Sequence, residues 1–164
     1  MTRTTTLTIA APEMLFSAGH FTIFSATERE PLHGHNFTVT AEITAAVDSN
    51  GMTCDYRVYK KKYIALCKQL NNTFLLAENS PHAPIVDADK QVVVHFHEDR
   101  IPFLKKDVLI LPVANISVEE LSRWFTEQIL LDKETLEEYQ VSRIVTHVAT
   151  KPGQQANFVW DHTS

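Results

Sequence analysis

Two pairs of histidines in this chain are separated by a single residue, His33-Gly34-His35 and His95-Phe96-His97. Residues two apart on a β-strand project from the same face, at about 6.5 to 7 Å between Cα atoms, a spacing that suits two ligands of one metal ion. Neutral imidazole is a good zinc ligand, and a catalytic zinc takes three protein ligands and keeps a fourth position open for water or substrate. His20, preceded by its own glycine in Ala18-Gly19-His20, is the natural third ligand for the first pair, whereas nothing comparable stands beside the second. The plain alternative is that a His-x-His is two packed or exposed strand side chains, and spacing alone leaves both readings open.

The elements that must carry these residues are legible in the hydrophobic pattern. From His35 onward Phe37, Val39, Ala41 and Ile43 alternate with polar residues, the period of a half-buried strand that ends at the Asn50-Gly51 turn. Tyr56, Tyr59, Tyr63, Leu66, Cys67 and Leu70 recur every three or four residues, which predicts an amphipathic helix beginning near Asp55 with its lysines on the solvated side. Val92 to Phe96 and Val108 to Leu111 read as short strands joined by a connection containing Ile101-Pro102. Ser117 followed by Glu120 marks the start of a second helix, whose stripe of Val118, Leu121, Trp124, Phe125 and Ile129 runs to about Leu131. Asp132 to Tyr139 reads as a frayed end or surface loop, and Ile144 to Thr150 as a strand. The order predicts an α+β domain over residues 1–164, with helices on one face of a mostly antiparallel sheet.

Composition narrows the function classes. The 15 Lys and Arg against 20 Asp and Glu give a net charge of -5, which argues against a nucleic-acid or anionic-membrane surface as the main business of the chain. Two cysteines, Cys54 and Cys67, are too few for a disulfide framework and read as small buried hydrophobes rather than nucleophiles. The polar start from Met1 to Thr6 lacks the apolar core of a signal peptide, no apolar run reaches membrane-spanning length, and the expected setting is cytoplasmic and reduced.

Three segments then occur in the order and spacing of one family: Phe16-Ser17-Ala18-Gly19-His20-Phe21, Pro31-Leu32-His33-Gly34-His35-Asn36-Phe37, and Gly51-Met52-Thr53-Cys54-Asp55-Tyr56. The likeness continues through Leu109 to Pro112 and Ser117 to Leu121 and closes with Pro152-Gly153-Gln154-Gln155-Ala156-Asn157-Phe158. The chain resembles the 6-pyruvoyl-tetrahydropterin synthase / 6-carboxytetrahydropterin synthase family. That resemblance implies the tunnelling fold, an antiparallel four-stranded sheet with two helices on one face, whose copies join into a barrel as a trimer or hexamer with sites between subunits. It also implies Zn2+ on His20, His33 and His35, acting as a Lewis acid on a reduced pterin such as 7,8-dihydroneopterin triphosphate, and a place in folate or queuosine biosynthesis.

The sequence departs from the family pattern at three places. Where typical members carry a cysteine base this chain has Arg29, and it resembles instead the branch with a glutamate three residues before the first motif histidine, here Glu30, associated with side-chain cleavage to 6-hydroxymethyl-dihydropterin. A desolvated carboxylate with a raised pKa serves as a general base. The family's Asp-His pair reads Asn71-Asn72, neither of which titrates, which makes His147 the candidate substitute. The glutamate that anchors the pterin falls on Thr150, with Ala149 and Lys151 beside it, while Ser117 and Glu119 carry over as pocket residues. Two further readings follow from these gaps: a zinc-binding paralogue with another small-molecule ligand or no catalysis, and a structural oligomer with a vestigial metal site.

Overall fold

The structure is a computed structural model, and it describes residues 3–162; Met1 and Thr2 of the polar start lie outside the described residues. Its organising element is β3, His33–Ala46, fourteen residues whose alternate side chains Phe37, Val39, Ala41 and Ile43 are buried. On one side β3 pairs antiparallel with two strands in succession, β2 (Leu15–His20) along its first half and β1 (Thr4–Ile9) along its second. On the other side it pairs with β9 (Val141–Lys151), which pairs in turn with β10 (Gln154–Asp161). These are the antiparallel strands the family resemblance implies, β10-β9-β3-β2. The sheet then continues through two parallel neighbours, β4 (Thr73–Ala77) and β8 (Val108–Leu111), to seven strands in all.

Both long helices form where the periodicity places them, and both are capped. Asp55 accepts the Arg57 amide at the start of α1 (Tyr56–Leu70), and Ser117 accepts the Glu120 amide at the start of α2 (Val118–Leu130). They lie on the same face of the sheet, sealing a core in which Phe16, Phe37, Tyr63 and Phe125 are fully buried. The Tyr63 hydroxyl meets the Thr146 hydroxyl at 2.7 Å, and Thr126 joins the same chain at 2.8 Å, so these three buried hydroxyls satisfy one another.

The structure corrects two elements. Asp132 to Tyr139 is not a loop: Asp132 caps a third, short helix, α3 (Lys133–Glu138), by accepting the Thr135 amide. Ile101-Pro102 is not a connection but part of β7 (Asp99–Leu104), which with β5 (Ile85–Ala88) and β6 (Gln91–Phe96) forms a separate three-stranded sheet. Pro102 is tolerated because β7 is an outer strand of that sheet. The small sheet has its own apolar cluster, in which Phe21, Leu76, Val92, Val94 and Phe96 are buried. Among the described residues, no helix is long and apolar enough to cross a membrane.

Candidate metal centre and adjoining cavity

The β2–β3 register assembles the triad. His20 is paired with His33, and Ala18 with His35, so all three histidines leave the same face of the sheet. Their ligand atoms lie within 4.8 Å of one another. On the opposite face Gly19, paired with Gly34 across the ladder, leaves room for the ring of Phe74 on β4, with which a Cβ there would collide.

Two of the three rings are oriented by backbone carbonyls. His20 Nδ1–H donates to the Ile116 carbonyl at 2.9 Å, and His33 Nδ1–H donates to the Pro31 carbonyl at 2.7 Å, which leaves Nε2 as the lone-pair atom in both. The Nε2 atoms of His33 and His35 stand 3.0 Å apart. His20 is only 4% exposed, and its Nε2 is buried with no hydrogen-bond partner. An orphaned acceptor turned toward two more imidazole nitrogens is costly in a dry setting and is what a bound cation relieves. Burial, and then the neighbouring histidines, hold His20 and His35 below the ordinary imidazole pKa, so both rings are neutral at pH 7 and competent as ligands. The residues therefore fit a zinc ion in number and ligand type.

Beside the triad is a cavity of about 390 Å3 whose walls include His20, His35, Glu30, Ser117, Glu119 and Thr150. The structure thus brings together all but one of the residues singled out from the sequence. Ser117 and Glu119 come from the start of α2; Thr150 comes from the end of β9, where its hydroxyl donates to Gln154 Oε1 at 3.0 Å. Gly153, at φ 78°, makes the turn that places Gln154 and Gln155 in the same wall. Thr22 and the exposed ring of Phe24 also line it; no motif marks either in the sequence, because both precede the His-Gly-His segment in a stretch with no periodic pattern.

Glu30 reaches the triad. Its Oε2 accepts the Thr22 amide at 2.9 Å and lies 3.8 Å from His33 Nε2. Burial alone raises its pKa, but the Thr22 amide and the nearby histidines outweigh that and hold the carboxyl below the usual carboxylate value. This corrects the expectation of a raised pKa: Glu30 is ionised at neutral pH, a resident anion rather than a proton reservoir.

The remaining candidate, His147, is on the opposite face. It is paired with Thr40, whose side chain alternates with the core-facing Val39 and Ala41, and its Nε2 is 3.1 Å from Glu42 Oε1. Within this chain it does not meet the triad. Asn71 and Asn72 have structural work instead: the Asn71 side chain accepts the Ser17 amide at 2.8 Å, and Asn72, at φ 61°, donates its amide to the Ser17 carbonyl. Cys54 and Cys67 are buried, and burial pushes the Cys67 thiol up to about 12, so neither presents a thiolate.

The β2–β3 ladder thus gathers three histidines, with the Glu30 carboxylate beside them, at one cavity of an α+β domain, a candidate metal-binding site. The sequence matches the 6-pyruvoyl tetrahydropterin synthase family over residues 11–157, and the chain belongs to that family. It is 24% identical, over 70% of each chain, to a Methanocaldococcus jannaschii protein provisionally named 6-carboxy-5,6,7,8-tetrahydropterin synthase. Among solved structures it superimposes on the 6-pyruvoyl tetrahydropterin synthase of Plasmodium vivax with a TM-score of 0.90 and 25% identity, covering 97% of this chain and 99% of that one. Two further structures of the P. vivax protein carry a glutamate, described as its catalytic residue, replaced by cysteine or by alanine. The Plasmodium falciparum protein gives the same TM-score of 0.90 at 23% identity, covering 96% of this chain and 98% of that one.

Proposed function

We propose that this protein is a zinc-dependent lyase that cleaves the side chain of a reduced pterin such as 7,8-dihydroneopterin triphosphate, with Glu30 as the base. The observation that carries this reading is the placement of an ionised Glu30 carboxylate 3.8 Å from His33 Nε2, in the wall of the cavity shared with His20 and His35. The catalytic glutamate of the P. vivax protein, which matches this chain over nearly its whole length, supports it.

Zinc, held by His20, His33 and His35, would supply Lewis-acid polarisation of the substrate oxygens. The chain's own residues supply the rest. Thr22 fixes one carboxylate oxygen of Glu30. Glu30 takes the proton from a side-chain hydroxyl; the carbon–carbon bond beside that hydroxyl breaks to give an aldehyde, and the electron pair left on the ring-bearing carbon, delocalised into the dihydropterin, picks up a proton. Ser117, Glu119 and Thr150 are the polar groups available to hold the heterocycle.

Active sites at the contacts of a trimer or hexamer accord with the fold, since β10 ends the seven-stranded sheet with an open edge. A cytoplasmic, reducing setting accords with two buried free thiols. The test is turnover of 7,8-dihydroneopterin triphosphate by zinc-loaded protein, followed by product chromatography. A 6-hydroxymethyl-dihydropterin product that disappears in Glu30→Gln is the expected result; no product from the wild type overturns the reading.

A second reading has its own observation. No carboxylate stands at Thr150, whose hydroxyl is already engaged by Gln154, so the group expected to bind the amino-bearing edge of a pterin is missing there. A paralogue that kept the metal and binds another small molecule fits that wall. Calorimetric titration of zinc-loaded and zinc-free protein with dihydroneopterin separates the two: zinc-dependent binding favours the pterin lyase, and no binding with zinc retained favours the paralogue.

A further inference from the structure

Arg29 precedes Glu30 and reaches the three-stranded sheet. Its Cζ lies 5.5 Å from the centre of the Phe21 ring and 5.5 Å from that of Phe96 on β6, both rings being buried. Nη1 donates to the Glu30 carbonyl at 3.0 Å, and Nη2 meets the Asp99 carboxylate on β7 at 3.3 Å. Nε is buried without a partner, so this guanidinium has been taken well out of water. A planar cation can lie against aromatic rings and still direct in-plane N–H groups at a carbonyl and a carboxylate, which an ammonium on a flexible stem does not match.

The segment Arg29 belongs to is a small hairpin. Ile23 bridges to Arg29, the Glu30 amide donates to the Thr22 carbonyl at 2.8 Å, and the Thr22 amide donates to the Glu30 carboxylate at 2.9 Å. Its outgoing arm is held by Asn115, whose side chain exchanges two hydrogen bonds with the Ile23 backbone. The returning arm, which carries Glu30, is tied to the small sheet by Arg29.

We propose that Arg29 is a positioning residue: it latches the returning arm to β6 and β7 and thereby sets where the Glu30 carboxylate stands relative to the histidine triad. This rests on the reading of Glu30 as the base. It gives the three-stranded sheet, none of whose residues lines the cavity, a part in the geometry of the site.

The test uses the zinc-loaded full chain with Arg29→Gln, Arg29→Lys and Asp99→Asn, and reads amide hydrogen exchange together with zinc content, kcat and KM. In Arg29→Gln the Thr22 and Glu30 amides are expected to exchange about tenfold faster or more, while α2 amides and zinc content stay as in the wild type. On the pterin substrate kcat falls with KM held, and Arg29→Lys recovers only part of both effects. Wild-type exchange at Thr22 and Glu30, or an equal acceleration of every amide, overturns the proposal. If Arg29→Gln does not fold, Asp99→Asn, at an exposed carboxylate, carries the test: about a two- to threefold local acceleration supports the latch, and none overturns it. A wild-type protein with no turnover overturns the lyase reading and leaves the exchange result standing, so the two fail separately.

Discussion

His33 and His35 lie at the start of β3 with His20 facing them from the paired strand, while His95 and His97, at the same spacing, sit where β6 runs into its hairpin turn. His97 has φ 51°, so the pair leaves the strand before both rings can share a face. The residue across from His95 is Arg100, a cation where the first pair meets a third imidazole. Two ligands at the right interval are therefore only half of a site. The other half is a second strand in register, a buried backing such as the one that leaves His20 Nε2 without a partner, and carbonyls that fix the ring tautomers.

The sharpest way to break this comparison is to remove one imidazole from each pair. His20→Ala or His33→Ala is expected to lower zinc affinity more than about 100-fold, and His95→Ala to leave it unchanged, measured by metal content after dialysis against a weak chelator. Zinc retained by His20→Ala refutes the triad. Next in size, Glu30→Gln should cut kcat by about 100- to 10,000-fold with zinc content intact, since it removes a proton acceptor and no ligand; loss of zinc as well makes Glu30 part of the metal site. Gly19→Ala should destabilise the fold by about 1 to 3 kcal/mol in urea denaturation, because a methyl group there meets the Phe74 ring, with Gly34→Ala milder, its nearest neighbour being the Ala18 carbonyl at 3.3 Å.

The smallest effect is on pH. Burial depresses His20 and His35 below the ordinary value, so the unfolded chain binds more protons than the native one as the pH falls through about 6.5. Stability of the metal-free protein is therefore whole above that pH and declines below it, until the native rings are themselves protonated. Thermal denaturation of metal-free samples at pH 7.5 and 5.5 should show the lower midpoint at pH 5.5, and His20→Gln should flatten the difference.

The helices, the long central strand and the three clustered histidines were legible because each writes a local signal: a capping serine or aspartate, a period of two or of 3.6, a histidine beside a glycine. What escaped is set by long-range pairing. Thr73–Ala77, to which the hydrophobic pattern assigned no element, forms β4 because the Ser17 backbone grips Asn71 and Asn72 and turns the chain alongside β2. His147 looked available because sequence does not reveal strand register, and the register puts it on the face away from the cavity. Arg29 was visible only as the residue standing where a cysteine was expected; its two rings come from Phe21, eight positions earlier, and Phe96, far along the chain.

One consequence of the pairing between His20 and His33 concerns how the chain folds. The two histidines are direct partners on adjacent strands, so a slip of one residue would set His20 against Gly34 and turn one of the rings to the other side of the sheet. Such a mispaired chain cannot gather three imidazoles around one ion. Any metal the triad takes then acts as a proofreader of strand pairing, lending its binding energy only to molecules whose β2 and β3 have met in the correct alignment.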